Sequence, residues 1–431
     1  MKNSPPVIFY LFRALLNLAR PWHPLIVKRL SKSSRLSGTI EPRMMRQTIP
    51  PPEKPVIWLH AVSVGEVEAA LPIARQLIAK YGANHLLFTT TTKEGWEVVQ
   101  KKLDCLMHLQ YYPFDFPVVV EKFLKHYRPS FYICMETELW PNMLYGLKRR
   151  GVPAILANGR ISDRLSNTHF ALRPLYRWIF LCFDWIGLQT DEDKKRLESF
   201  GLSSEKIDVV GNTKFDLPDP RDDPGTLESM KKEFGLVDGP IIVFGSTHPG
   251  EEDIIARTYK ALKSRINDIA MVLAPRHIDR ANEVALILKN HNISFRLRTE
   301  SKNNMSPDKK IECLLLDTVG ELSKVYALGE IAFVGGSLIK RGGHNLLEPA
   351  AAGVPVLHGP HMHNFRAITS FLHNAGSAVE VNDESELVKN IYELLTDHTK
   401  LEEMKRKARI AYESGKGATD KIMAKVEELM Q

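Results

Sequence analysis

Four charged side chains follow apolar segments, where buried strands would end. Glu66 comes after VIWLHAV, and Glu136 and Glu138 come directly after FYICM. Lys214 follows DVV and three polar or small residues. Open α/β sheets bind ligands at the carboxyl ends of parallel strands, where the three glutamates are predicted to lie, and Lys214 is predicted to lie at an interdomain cleft. A carboxylate there could take a proton from a reacting hydroxyl, and the ammonium could neutralise a leaving phosphate.

Glu66 also has a purely structural interpretation. Ser63 and Glu66 have the spacing of a capping box at the start of a helix. A carboxylate in the first turn of a helix is stabilised by the helix dipole. We therefore expect a low pKa for Glu66, which would make it an ionised but weak base. Lys214 could likewise be a solvated surface lysine.

A second set of residues could hold a phosphorylated ligand. The stretch FVGGSLIKRGGHNLLEPAAAGVPVLHGP contains two glycine pairs, and Asn345 and Glu348 have capping-box spacing before a short helix. Free amides at a helix start and along a glycine loop favour an anion. Arg276, which follows another apolar run, offers a fork of donors that suits a phosphate. An ordinary βαβ crossover with a well-capped helix would have the same pattern.

Several site classes lose support. The sequence contains no GxGxxG fingerprint, Walker loop or GxSxG elbow, which argues against nicotinamide cofactors, NTP hydrolysis and that type of serine hydrolase. His358, His361 and His363 lie close together, but no acidic or cysteine residue is near them in sequence, and we predict no metal site. The 4 cysteines form no CxxC pair, which favours a reducing compartment.

The elements that position these residues are apolar strands alternating with amphipathic helices along most of the 431 residues. This alternation predicts an α/β fold, and the length allows two domains. The Pro- and Asp-rich run after Lys214 is interpreted as a hinge. The predicted boundaries are a basic N-terminal segment over residues 1–50, a first domain over 51–215, a linker over 216–239 and a second domain over 240–431. Residues 383–431 are predicted to be amphipathic helices that close over the domains.

The N-terminal segment is apolar and basic. In residues 5–30, an apolar segment is broken by Arg13, Arg20, Pro21 and Pro24, and its first part, Pro5 to Ala19, is too short and too charged to predict a membrane span. It also lacks the cleavage site of a secretory signal. An interfacial membrane anchor fits better, with Tyr10 and Trp22 at headgroup level. A first helix packed on the domain is the alternative. The net charge of +7 would suit either an anionic membrane surface or a nucleic acid.

Taken together, eight motifs give the sequence a family resemblance over residues 55–370. In order, they are WLHAVSVGEV, METELWPN, GNTKFD, GSTHPGEE, APRH, DTVGEL, FVGGS and GGHNLLEPA. The chain resembles the 3-deoxy-D-manno-octulosonic acid (Kdo) transferases of Gram-negative bacteria. This resemblance implies a GT-B glycosyltransferase, with an acceptor-side and a donor-side Rossmann-like domain facing each other across a cleft that holds the active site.

The resemblance also implies a reaction and its participants. Kdo would be transferred from CMP-Kdo to the lipid A precursor, with inversion at the anomeric carbon, at the cytoplasmic face of the inner membrane. No cofactor, metal or nucleic acid is expected. Glu66 would be the general base, and Glu136 with Lys214 would stabilise the transition state. CMP would be bound by Pro275, Arg276, Val319, Gly320, Glu321, Asn345, Leu346, Leu347 and Glu348.

The chain departs from the family pattern at two places. Val319 stands where relatives often have methionine, and Asn212-Thr213 varies the approach to Lys214. Backbone contacts to CMP would tolerate the first change. The remaining alternatives are a GT-B enzyme that uses another nucleotide sugar, a GT-B-like sugar epimerase, and a non-catalytic protein that binds acidic lipid through residues 5–46. The number of Kdo units transferred and the oligomeric state are left open.

Overall fold

In a computed structural model, the chain folds into two α/β units. The structure describes residues 4–18, 38–46, 50–166, 168, 170–216, 224–303 and 310–431. The first unit comprises Met1–Asp216 together with Lys416–Gln431, and the second comprises Leu217–Gly415. The predicted α/β class with two sheet-bearing units is confirmed.

The first unit is built on a parallel sheet of 7 strands, whose inner strands are buried along their whole length. The strands are β1 Ile57–His60, β2 Leu86–Thr90, β3 His108–Tyr111, β4 Phe131–Met135, β5 Ala154–Gly159, β6 Trp185–Leu188 and β7 Ile207–Val209. Their order is β3-β2-β1-β4-β5-β6-β7. The winding direction reverses between β1 and β4, which are hydrogen-bonded neighbours, and such a switch point is where open sheets bind ligands.

The helices of the first unit mostly connect successive strands. They are α1 Val7–Leu18, α2 Ile40–Arg43, α3 Val64–Tyr81, α4 Lys93–Lys102, α5 Pro117–Tyr127, α6 Pro141–Arg149, α7 Asp163–Ser166, α8 Arg173–Phe180 and α9 Asp191–Glu198. The predicted helix start after Ser63 is confirmed, because α3 begins at Val64. A 3-10 turn, Thr213–Asp216, ends the continuous part of the unit.

The second unit repeats the design with another parallel sheet of 7 strands, in the order β10-β11-β9-β8-β12-β13-β14. The strands are β8 Ile241–Thr247, β9 Ala270–Pro275, β10 Phe295–Leu297, β11 Cys313–Leu315, β12 Ile331–Val334, β13 Val356–His358 and β14 Ala378–Glu380. Its switch point lies between β8 and β12. The helices are α10 Pro224–Phe234, α11 Glu251–Lys263, α12 Ala281–Asn290, α13 Arg298–Asn303, α14 Leu322–Tyr326, α15 Leu347–Ala351, α16 Arg366–Asn374, α17 Glu384–Thr396 and α18 His398–Gly415.

The predicted end of the second domain at residue 431 is wrong. The last helix, α19 Ala418–Met430, belongs to the first unit. Its apolar side chains Ile422, Met423 and Val426 join the core formed around β1 and α3. Both Asp216 carboxylate oxygens accept hydrogen bonds from its first turn, from Gly417 N–H at 2.6 Å and Thr419 N–H at 2.7 Å. The pattern of an amphipathic helix indicates a buried face but not which core it joins.

The predicted linker over residues 216–239 contains regular structure. Helix α10 occupies most of its second half and lies in the second unit, where Glu233 forms an ion pair with Arg298 of α13 at 2.9 Å. Residues 217–223, the Pro- and Asp-rich part, lie outside the described residues.

The N-terminal helix α1 both packs on the first unit and exposes an apolar face. Phe9 is fully buried against Tyr145 and Trp178, with ring centroids at 5.1 and 4.5 Å. The opposite side exposes Val7, Leu11, Leu15 and Leu18, which are 60–74% accessible. In the described part of the chain, no helix has the length and apolar character needed to span a bilayer. Arg20 and Trp22 of the predicted anchor lie outside the described residues.

Candidate functional site

The switch point of the first sheet brings Glu66 and Glu136 together. Glu66 lies in the first turn of α3, directly after β1, and Glu136 follows the adjacent strand β4. Glu136 has a left-handed backbone with φ of 52°, which is uncommon for a residue with a side chain and is often retained at functional positions. The carboxyl ends of β1 and β4 therefore lie side by side and are followed by the two glutamates, as predicted.

Glu66 makes a variant of the predicted capping box. Its Oε2 accepts a hydrogen bond from the Val62 N–H at 2.7 Å, and the Ser63 hydroxyl donates to Oε1 at 3.3 Å. The Glu66 carboxylate thus accepts a hydrogen bond from Val62, the residue before the N-cap. The N-cap residue Ser63 makes no side-chain hydrogen bond to the amides of the helix. Glu66 therefore has a structural role at the helix start whatever its chemistry.

The expected low pKa of Glu66 is wrong. Burial, with the Glu136 carboxylate second in effect, raises the pKa of Glu66 from 4.5 to about 8, and Glu138 adds to the rise. The hydrogen bonds from Val62 and Ser63 lower the pKa but do not offset these two causes. Burial also raises the pKa of Glu138. Three carboxyl groups thus lie within electrostatic range of one another, and at neutral pH Glu66 is mostly protonated.

Lys214 lies in the same cluster. Its Nζ is 3.7 Å from Glu136 Oε1, and both side chains keep about a fifth of their surface exposed, 20% and 24%. A Cβ added at Gly65 would be 3.8 Å from this Nζ, so the ammonium also lies over the helix start that carries Glu66. The structure therefore brings Glu66, Glu136 and Lys214 together, although 148 residues separate the first from the last.

A network of amides, not singled out in the sequence, positions Lys214. The buried Asn158 accepts a hydrogen bond from the Thr213 N–H through Oδ1 at 3.1 Å and one from Gln189 through its carbonyl at 3.0 Å. Gln189 in turn accepts from Asn212 at 3.2 Å, and Asn212 accepts from the Lys214 N–H at 3.0 Å. Polar residues at the ends of β5 and β6 were the only sequence signal.

In the second unit, the amides of the loop that begins at the first glycine pair are already hydrogen-bonded to a carboxylate of the protein itself. Glu251, which is fully buried, accepts hydrogen bonds from the N–H groups of His248, Gly336, Ser337 and Leu338 at 2.7–3.1 Å. Our expectation that these loop amides are open to a phosphate is therefore wrong. Glu251 instead ties the loop after β8 to the loop after β12 across the switch point. Its position at a helix start gave no sign of this role.

Two imidazoles lie beside this loop. Nε2 of His248 and Nε2 of His344 are 2.8 Å apart, and the rings are stacked. Burial, together with positive neighbours that include Arg276 and His277, lowers the pKa of both to about 4. The pair is therefore neutral at pH 7 and lies in a positive field. Such a field favours an anion, and Arg276 is exposed.

The predicted CMP-binding residues lie on three loops of the second unit. Pro275 is the last residue of β9 and Arg276 follows it, and the Arg276 N–H donates to the Thr247 carbonyl at 2.9 Å. At the start of α15, Asn345 Oδ1 accepts from the Leu347 N–H at 3.1 Å, so Leu346 takes the cap position and Asn345 precedes it. Leu346 and Leu347 are buried, and Glu348 lies 3.5 Å from the Asn345 amide.

The third loop precedes α14, which packs against α15. Val319 is 61% exposed, and Gly320 has a φ of 94°, a conformation that favours glycine. The Glu321 side chain forms an ion pair with Arg298 at 3.1 Å. This loop can therefore offer backbone groups to a ligand, whereas the Glu321 carboxylate already has a cation beside it.

Comparison with known proteins places this chain among carbohydrate-active enzymes. The family described as "3-Deoxy-D-manno-octulosonic-acid transferase (kdotransferase)" matches residues 38–217. A 3-deoxy-D-manno-octulosonic acid transferase of Haemophilus influenzae is 34% identical over 87% of this chain and 86% of its own length. One from Aquifex aeolicus is 32% identical over 83% and 92%.

Among solved structures, the UDP-GlcNAc 2-epimerase of Neisseria meningitidis matches with a TM-score of 0.58. It is 14% identical and covers 87% of this chain and 100% of its own chain, so the likeness concerns the fold alone. The two parallel-sheet units have the GT-B fold, as the sequence resemblance implied.

Proposed function

Because the chain belongs to the Kdo transferases, a glycosyltransferase family of lipopolysaccharide biosynthesis, we propose that it transfers Kdo from CMP-Kdo to the lipid A precursor lipid IVA with inversion at the anomeric carbon. The cluster of Glu66, Glu136 and Lys214 carries this proposal. It combines a proton acceptor with an ion pair at a sheet edge of the type that binds ligands.

Glu66 is the proposed general base. In its ionised form, it accepts the proton of the acceptor hydroxyl while the hydroxyl oxygen bonds to the anomeric carbon of Kdo. The bond from that carbon to the CMP phosphate breaks, and its electron pair leaves with CMP. A pKa of about 8 makes the carboxylate a stronger base than an exposed glutamate, because general-base efficiency rises as the pKa approaches the working pH.

Glu136 and Lys214 are proposed to stabilise the charges of the transition state. Charge separates as CMP leaves, and a fixed ion pair responds without reorganising. The strained backbone of Glu136 and the amide network behind Lys214 support this role, because both hold the charged groups in place. CMP is proposed to bind Pro275, Arg276, Val319, Gly320, Glu321 and Asn345–Glu348, in the positive field around Arg276.

We also propose that α1 associates with the cytoplasmic face of the inner membrane, where the lipid acceptor would be found. The exposed apolar row Val7, Leu11, Leu15 and Leu18 supports interfacial binding. No nucleic-acid partner is proposed. Domain limits close to residues 216 and 415 replace the boundaries expected from sequence.

The test is a transfer assay with the full chain, CMP-Kdo and lipid IVA, in which the mass of the glycolipid is followed. We expect the wild type and a Glu94→Gln control to add Kdo, since Glu94 is an exposed residue in the first turn of the neighbouring helix α4. Glu66→Gln should lose transfer while keeping its fold. Turnover of a UDP- or GDP-sugar instead of CMP-Kdo would favour another GT-B activity, and full activity of Glu66→Gln would remove the proposed base.

A further inference from the structure

A group of three possible metal ligands lies in the second unit, under helix α16. It consists of His358 at the end of β13, His373 in the last turn of α16 and Glu380 at the end of β14. Their ligand atoms all lie within 4.8 Å of one another. In the sequence, His358 lies close to His361 and His363, with no acidic residue near them. The fold supplies different partners, because β13 and β14 pair in a register that sets His358 beside Glu380.

The hydrogen bonds of His358 leave the correct nitrogen available. Its Nδ1 lies 2.7 Å from the Gly359 carbonyl, which can only accept, so Nδ1 carries the proton. The lone pair is therefore on Nε2, which points to Nε2 of His373 at 2.8 Å. A histidine that donates one ring N–H to a backbone carbonyl and offers the other nitrogen to a metal is the usual arrangement of such ligands. His358 is fully buried, so the tautomer is set by these two hydrogen bonds.

We propose that His358, His373 and Glu380 bind one divalent transition-metal cation, with zinc the best match. Two imidazoles and a carboxylate are a zinc donor set, with a fourth position left for water. Bonds of about 2.1 Å in a tetrahedral site require ligand atoms about 3.4 Å apart. The two imidazole nitrogens would separate slightly from their hydrogen-bonded distance, and the exposed Glu380 side chain would move inward.

The cation would add a bond between three elements, β13, β14 and α16. It would tie the ends of two neighbouring strands to the helix that connects them. The loop after β13 contacts the glycine loop after β12, because the Gly359 N–H donates to Ser337 Oγ at 2.8 Å and the His361 N–H donates to the Ser337 carbonyl at 3.0 Å. Metal binding would therefore stiffen the support of that loop. This inference does not depend on the proposed transferase activity.

The test is a zinc titration of the chelator-treated full chain against a chromophoric competitor. The variants are His373→Ala and Glu380→Gln, with His398→Ala as a control, because His398 is an exposed histidine at the start of α18. We expect one zinc per wild-type chain, unchanged affinity in the control, and at least tenfold weaker binding in both ligand variants. Zinc should also raise the melting temperature of the wild type more than that of His373→Ala.

Cobalt gives a second readout that reports the ligand set directly. Wild-type protein loaded with Co²⁺ should show the visible absorption of a four-coordinate site, and this absorption should be lost in His373→Ala. Equal zinc affinity of the wild type and either ligand variant would overturn the proposal. The two histidines would then form only a buried N–H···N hydrogen bond.

Discussion

Glu66→Gln is expected to stabilise the first unit while removing activity. The unfolded chain releases the Glu66 proton near pH 4.5, whereas the folded chain holds it to about pH 8. The folded state therefore binds more protons throughout this window, and the wild type loses stability as the pH rises from about 4.5 to 8. Glutamine cannot ionise, and its side chain can still accept the hydrogen bond from Val62.

The size of the effect follows from the two pKa values. A rise from 4.5 to about 8 makes folding less favourable by about 4 kcal/mol at pH 8 and by about 1 kcal/mol at pH 5. Glu66 is only partly buried, and solvent screening reduces both values. We therefore expect Glu66→Gln to be more stable than the wild type by about 2 kcal/mol at pH 8 and nearly equal to it at pH 5.

The assay is guanidinium unfolding followed by tryptophan fluorescence. All 6 tryptophans precede residue 217, so this signal reports the first unit even if the two units unfold separately. Glu94→Gln is the matched control and should differ little from the wild type at either pH. A Glu66→Gln variant with no gain at pH 8, or with the same gain at both pH values, would refute the raised pKa.

Three further predictions address the rate, the domain boundary and the glycine loop. In the transfer assay, kcat/KM should rise with pH to a plateau above about 8. Glu138→Gln should move the inflection of this profile to lower pH, because it removes a negative charge near Glu66. An inflection at the same pH in this variant would contradict the coupling between the two groups. Asp216→Ala should lower the tryptophan-monitored stability by about 1–2 kcal/mol through loss of the α19 cap, whereas Asp397→Ala, which uncaps α18 in the second unit, should not. Glu251→Gln should weaken CMP binding at least tenfold in calorimetry, because its amide would face N–H donors; unchanged affinity would show that the loop does not need the carboxylate.

Much of the fold was predictable because its signals are local. Strands buried on both faces give apolar runs, and β1 and β4 were recognised from the runs VIWLHAV and FYICM. Parallel strands then place the residues that follow them at one edge, so Glu66 and Glu136 could be assigned to a common site. The short edge strands β10 and β14 gave weaker patterns and were not predicted.

The candidate site was predicted in its residues but not in its electrostatics. The capping-box spacing of Ser63 and Glu66 correctly predicted a helix start, yet it led to the wrong pKa. The spacing shows that the carboxylate lies at the N-terminal end of a helix, which favours its ionised form. It does not show that the carboxyl group is buried, or that Glu136, 70 residues away in sequence, comes close to it. At this position, desolvation and like charge exceed the local hydrogen bonds.

Local patterns in the sequence were enough to predict the inner strands β1 and β4, the helix start after Ser63 and the groups that could do chemistry, because each depends on residues within a few positions of one another. Which of these groups meet depends on tertiary contacts. Strand order set Glu66 beside Glu136, strand register set His358 beside Glu380, and packing returned α19 to the first unit. Distances between groups far apart in sequence set pKa values and ligand geometry, and those distances exist only once the chain has folded.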